Sequence, residues 1–181
     1  AVALYKAAAA RFPAFPMPRQ RLAELHARLG EPAQALALGP LPVALALRCH
    51  EALGQLDAGI ALGDRHLEDR KARDTGREES DLQLVATLAR LHRRKGQPQE
   101  GIARLAGARG DFRGLERSFD YHYELGRLGE EAQDLPGALV DYLLAWHHSG
   151  LRAMDVQEAR RRAGYLAAQA PDAPRAALAI L

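Results

Sequence analysis

One short pattern recurs along this chain and restricts its fold more than any other feature. A glycine is followed by four residues, then by a small residue and a Leu or Ile. It is written Gly30-Glu-Pro-Ala-Gln-Ala35-Leu36, Gly54-Gln-Leu-Asp-Ala-Gly59-Ile60 and Gly96-Gln-Pro-Gln-Glu-Gly101-Ile102. A fourth copy, Gln133-Asp-Leu-Pro-Gly-Ala138-Leu139, has Gln at the glycine position, and a last copy near Asp172 is blurred by Pro171 and Pro174. Each copy reads as the corner of a helical hairpin. Glycine closes one helix in the left-handed conformation. Pro or an acidic residue opens the next, where a missing N–H costs nothing and negative charge suits the dipole. The small residue just inside the second helix lets two backbones approach closely. Successive corners lie 24, 42 and 37 residues apart, and a recurring corner of this kind belongs to a stack of repeats, not to a simple bundle.

Composition agrees and removes the alternatives. The chain holds 36 Ala and 29 Leu but only 5 Val, 3 Ile and 2 Thr. Strands need branched and aromatic side chains on a pleated surface, whereas Ala and Leu lead the helix ranking, so the fold class is all-α. Apolar residues recur at helical spacing ahead of the corners: Leu22, Leu25 and Leu29; Leu84, Leu88 and Leu91; Phe119, Leu125 and Leu128. Ser80-Asp-Leu-Gln83 reads as a capping box opening the third of these helices. Gly39-Pro40-Leu41-Pro42 cuts one second helix short. Residues 64–81 form a charged extension or loop between repeats, with i,i+4 ion pairs able to prolong a helix until Thr75-Gly76 breaks it.

These residues resemble the tetratricopeptide repeat family. Its second helix carries Ala, an aromatic four residues on, Ala three further and Pro five further. Ala1, Tyr5, Ala8 and Pro13 follow that series, and Ala138, Tyr142 and Ala145 repeat it with Gly150 at the Pro position. The family's first-helix Leu-Gly or Leu-Ala pair stands here as Leu22-Ala23, Leu88-Ala89 and Leu125-Gly126. The resemblance implies an α-solenoid of stacked antiparallel helical hairpins over residues 1–181, a single superhelical domain with one trailing helix, four defined units and a truncated fifth.

It also implies a concave groove lined by the first helices. Positions two, three, six and ten before each corner face it: Arg28, Glu24 and Gln20; Arg48, Glu51 and Ala44; Arg90, Arg93, Arg94 and Ala86; Tyr123, Arg127, Glu130 and Glu131; with Arg161 and Tyr165 in the last unit. The partner-binding set expected from this is Arg28, Arg48, Glu51, Arg90, Arg93, Arg94, Tyr123, Arg127 and Arg161. Arginine forks pair bidentately with carboxylates and stack on aromatics, so the expected partner is an acidic or carboxylate-ended protein or peptide. The competing explanation is coding bias, because 22 of the 25 basic residues are Arg. Gln20 and Glu24 stand where the chaperone-binding members of the family place a Lys and Asn clamp, which argues against that partner.

Other functions find less support. His26, His50 and His92 each lie four residues before a corner, too far apart across stacked helices for one zinc ion, and read as repeated packing residues. His122 and His147-His148 belong to no metalloprotease motif, and no metal site or cofactor is assigned. Arg90–Lys95 and Arg160–Arg162 are the best nucleic-acid segments, yet no aromatic stacking platform accompanies them. A nucleic-acid-associated regulatory module is the alternative reading. No nucleotide loop or nucleophile motif points to an enzyme. Cys49, the single cysteine, reads as a small core residue, and Glu130-Glu131 as an exposed pair. No stretch approaches the ~20 apolar residues that span a bilayer. The expectation is a scaffold module of a larger bacterial, cytoplasmic protein, since the chain opens without Met and closes in an apolar run.

Overall fold

The computed structural model describes residues 1–72, 79–109, 114, 117–148 and 153–180. Among them are eleven helices and no strand. They are α1 (Val2–Arg11), α2 (Pro16–Arg28), α3 (Pro32–Ala37), α4 (Val43–Ala52), α5 (Leu56–Ala72), α6 (Glu79–Arg94), α7 (Pro98–Arg109), α8 (Phe119–Glu131), α9 (Leu135–His147), α10 (Ala153–Gln169) and α11 (Ala173–Ile180). They form two compact units, Ala1–Asp74 and Thr75–Leu181, and the division falls inside the charged stretch at 64–81. Part of that stretch is helical, because α5 continues to Ala72; residues 73–78 lie outside the described set.

The recurring corner is one hydrogen-bonded device built four times. Gly30, Gly54 and Gly96 adopt φ of +78°, +70° and +76°, and Gln133 takes the same left-handed conformation at +63°. The following residue donates its N–H back across the helix end: Glu31 to the His26 carbonyl at 2.9 Å, Gln55 to His50 at 2.9 Å, Gln97 to His92 at 3.0 Å and Asp134 to Gly129 at 2.9 Å. The corner residues donate to Ala27, Glu51, Arg93 and Glu130. This pair of bonds is the Schellman closure, which satisfies carbonyls that a helix end leaves open. Pro32 and Pro98 begin α3 and α7, and Asp134 caps α9 by accepting from the Gly137 N–H at 3.1 Å.

The small residues inside the second helices are buried as the pattern requires: Ala35, Gly59, Gly101 and Ala138. Each unit is accordingly a stack of hairpins whose adjacent helices pack together. Leu22, Leu84, Leu88, Leu91, Phe119 and Leu128 are buried. Leu29 departs from this pattern and is 61% exposed. It sits at the C-cap of α2, and its counterpart Leu53 before Gly54 is also exposed; the residue next to the corner faces solvent. In unit 1, Ala23, Ala35, Leu45 and Cys49 form one buried cluster, and burial raises the Cys49 thiol pKa despite the nearby Arg48 charge. In unit 2, Phe119, Tyr142, Leu166 and Ala173 belong to one core joining α8 to α11. Helix α3 ends at Ala37, ahead of Gly39 at φ +101°. Helix α6 begins at Glu79, one residue ahead of the expected capping box at Ser80, and of that box the Ser80 and Leu82 side chains lie outside the described set.

Candidate partner-binding face

The candidate residues divide between the two units. Arg28 on α2 and Arg48 on α4 are exposed in unit 1, where Glu51 is half-buried on α4 and engaged in a contact of its own. The remaining six, Arg90, Arg93, Arg94, Tyr123, Arg127 and Arg161, lie on α6, α8 and α10 of unit 2.

In unit 2 the sequence spacing brings Arg90, Arg93 and Arg127 around one carboxylate that the pattern did not single out. Glu124 is 5% exposed on α8. Arg93 reaches it from α6 through Nε at 3.3 Å and also donates through a terminal nitrogen to Glu131 at 3.1 Å. Burial pushes the Glu124 carboxyl above its ordinary range, against the pull of Arg93, Arg90 and Arg127. A desolvated carboxylate is tolerated there because three guanidiniums share its field. The Arg93 side chain is itself only 12% exposed, so it ties α6 to α8 and presents little to solvent. Arg94 is exposed, and Arg90 is half-buried with a contact of its own.

A second junction fixes α10. Glu130 accepts from the Tyr142 hydroxyl at 2.6 Å and from an Arg162 terminal nitrogen at 2.9 Å. Arg162 also donates through Nε to Glu158 at 3.0 Å, and Glu158 pairs with Arg161. The expectation of Glu130-Glu131 as an exposed pair is therefore corrected at Glu130, whose side chain is only 15% exposed. Tyr142 of α9 and Arg162 of α10 cover it from two sides. Burial raises the Tyr142 pKa, and the hydroxyl's bond to Glu130 adds to that. Burial works against the charge on Arg162, but Glu158 and Glu130 outweigh it and raise its pKa.

Between the two junctions stands Arg127, half-buried and without a carboxylate in ion-pair range among the described residues. It acts electrostatically on both Glu124 and Tyr142. Tyr123, half-buried and four residues earlier on α8, stacks on Phe119 at 5.3 Å and meets Tyr142 edge-on at 5.9 Å. Such a face holds cations on rigid helices at little ordering cost.

The histidines do other work. His26 Nδ1 lies 2.6 Å from Glu31 Oε2, and His50 Nδ1 lies 2.9 Å from Gln55 Oε1, each bridging its own corner. His92 Nδ1 is buried without a hydrogen-bond partner. His122 is buried against Asp141 at 2.8 Å and stacks on His148 at 5.8 Å. Among the described residues no group of three or more His, Cys, Asp or Glu is placed to share a metal ion. No helix among them is long and apolar enough to cross a membrane.

Glu124, Tyr142 and Arg162 were missed as members of this face. The aromatic periodicity marked Tyr142, but only burial shows that its hydroxyl needs an acceptor.

No protein-family model matches the chain, and no curated protein does. Among solved structures, the crystal structure of BtubC (BKLC) from P. vanneervenii is similar: 16% identity, a TM-score of 0.72, and coverage of 98% of this chain and 83% of that one. That likeness extends to the helical fold.

Proposed function

We propose that the chain is a tetratricopeptide-like scaffold module, the recognition or regulatory part of a larger bacterial protein, and that the α6–α8–α10 face of unit 2 binds an acidic protein or peptide segment. The observation that carries this reading is Arg127, a groove-register arginine with no carboxylate in ion-pair range among the described residues, while Glu124, Glu130 and Glu131 are taken by Arg93 and Arg162. Guanidinium forks match carboxylates bidentately, and Arg90 adds positive potential close by. Tyr123, half-buried one helical turn earlier on α8, adds an aromatic side chain to the same register.

A fluorescein-labelled Glu/Leu decapeptide tests it by polarisation, with a Lys/Leu decapeptide and a labelled DNA duplex as controls. The acidic peptide is expected to bind and the Lys/Leu peptide to fail. Arg127→Glu should weaken binding at least tenfold, measured at a temperature where circular dichroism shows the variant folded, since its guanidinium contributes to the field around Glu124. Wild-type affinity in Arg127→Glu would refute the reading. Tighter binding to the duplex, falling steeply with salt, would replace it with the nucleic-acid alternative.

A further inference from the structure

Three consecutive arginines on α10 have different environments. Arg161 and Arg162 both hold Glu158, and Arg162 also holds Glu130. Arg160 pairs with no carboxylate among the described residues; its Cζ lies over the indole of Trp146 on α9, 5.7 Å from the ring centroid. Trp146 is the single tryptophan of the chain and remains 44% exposed. A guanidinium laid on an indole keeps its outward N–H donors available, and stacking fixes their plane.

Beside this platform runs an open trough of about 490 Å³ lined by Gln157, Glu158, Arg160, Arg161 and Gly164. Gly164 is the second observation. It stands inside α10 at an ordinary helical φ, and a Cβ built on it would meet nothing within 4 Å. Neither a turn nor a close helix contact requires glycine there, and glycine is among the weakest residues for a helix interior. The missing side chain leaves the floor of the trough open. Tyr165, 55% exposed, is the next residue along α10. The one carboxylate in the trough, Glu158, is neutralised by Arg161 and Arg162.

We propose that Arg160 on Trp146, with the trough floored by Gly164, is a subsite for an acidic side chain of a protein partner, the neighbouring aliphatic residue of that partner lying over Gly164. The occupant follows from charge complementarity: a fixed cation that pairs with no carboxylate among the described residues, beside an already neutralised acid. The inference rests on the proposed acidic-segment reading and adds a second anchor, independent of Arg127.

Trp146 is its own reporter. An acetylated, amidated Glu/Leu decapeptide, which has no terminal carboxylate, is titrated while tryptophan emission is followed, and the labelled form is measured by polarisation. Wild type should show a saturable emission change. Arg160→Ala should bind at least tenfold more weakly, Arg160→Lys should recover only part of the loss, and Gly164→Leu should abolish binding while melting no lower than wild type. Wild-type affinity in Arg160→Ala and Gly164→Leu, with Arg127→Glu still weakened, overturns the subsite and leaves the proposed function standing. Loss in the α10 variants with normal binding in Arg127→Glu supports the subsite and rejects the role of Arg127. Absence of binding by wild type overturns both.

Discussion

The ring of Tyr142 fills the space that a side chain on Gly126 would need: a Cβ there would lie 2.9 Å from Tyr142 Cδ1 and Cε1. This contact sets how closely α8 and α9 pack, and the hydroxyl of the same tyrosine reaches Glu130. Tyr142 therefore couples a close helix contact of unit 2 to its charged face.

Gly126→Ala should destabilise the chain by about 1–3 kcal/mol through overpacking. Gly107, in the last turn of α7, has nothing within 4 Å of a built Cβ, and Gly107→Ala should stabilise by up to about 1 kcal/mol through helix propensity. Urea denaturation of both variants checks the contrast. Equal effects would show that the ring contact is not tight.

Gln133 should be the weakest of the four corners. Its φ of +63° costs a residue with a Cβ about 1–2 kcal/mol, offset in part by its side-chain amide bond to the Glu130 carbonyl at 3.2 Å. Gln133→Gly is expected to raise stability by about 1 kcal/mol, measured by thermal melting. A lower melting temperature would show that the amide bond outweighs the backbone strain.

Tyr142→Phe keeps the ring and removes the donor. Glu130 retains Arg162 at 2.9 Å, so the expected loss is about 1.5–3 kcal/mol, that of one hydrogen bond to a charged group. A double-mutant cycle with Glu130→Gln should show coupling of similar size. Additive losses would mean that the two side chains contribute independently.

Glu124 and Asp141 make stability depend on pH in a defined direction. Burial raises both carboxyl pKa values above the ordinary 4.5 and 3.8, against the opposing pulls of Arg93 and His122. The folded chain thus holds protons that the unfolded chain has released. The stability from this uptake is complete below the ordinary values and is lost as pH rises through the raised ones. Glu124→Gln carries no charge at any pH. Its urea midpoint should fall less than that of wild type from pH 4.5 to neutral; an unchanged slope would assign the dependence to other groups.

How much of the chain was legible depended on sequence distance. The corner at Gly30 is closed by a bond from Glu31 to His26, and the side chains of the same two residues meet. The backbone bond spans five residues, so local spacing reveals the corner, whereas His26 read only as a packing residue and its bond to Glu31 did not follow from the pattern. Gln133 took the glycine conformation because the same local bonds surround it. Arg93, in contrast, meets Glu124 and Glu131 across 31 and 38 residues, and no local rule selects those partners.

The sequence by itself determined an all-helical chain, the positions of its corners and the faces along which its helices pack. These follow from backbone propensity, left-handed caps and the placement of small residues, all of which act over a few positions. The tertiary structure decided which arginines are framework and which are available. That distinction depends on how α6, α8 and α10 are rotated against one another, which is set by contacts such as Leu128 against Gly101 and Tyr142 against Gly126. Arg93 was turned onto Glu124 and Glu131 and Arg162 onto Glu130, while Arg127 and Arg160 pair with no carboxylate among the described residues. A charge becomes a counter-ion or a binding group through what lies within about 4 Å of it in space.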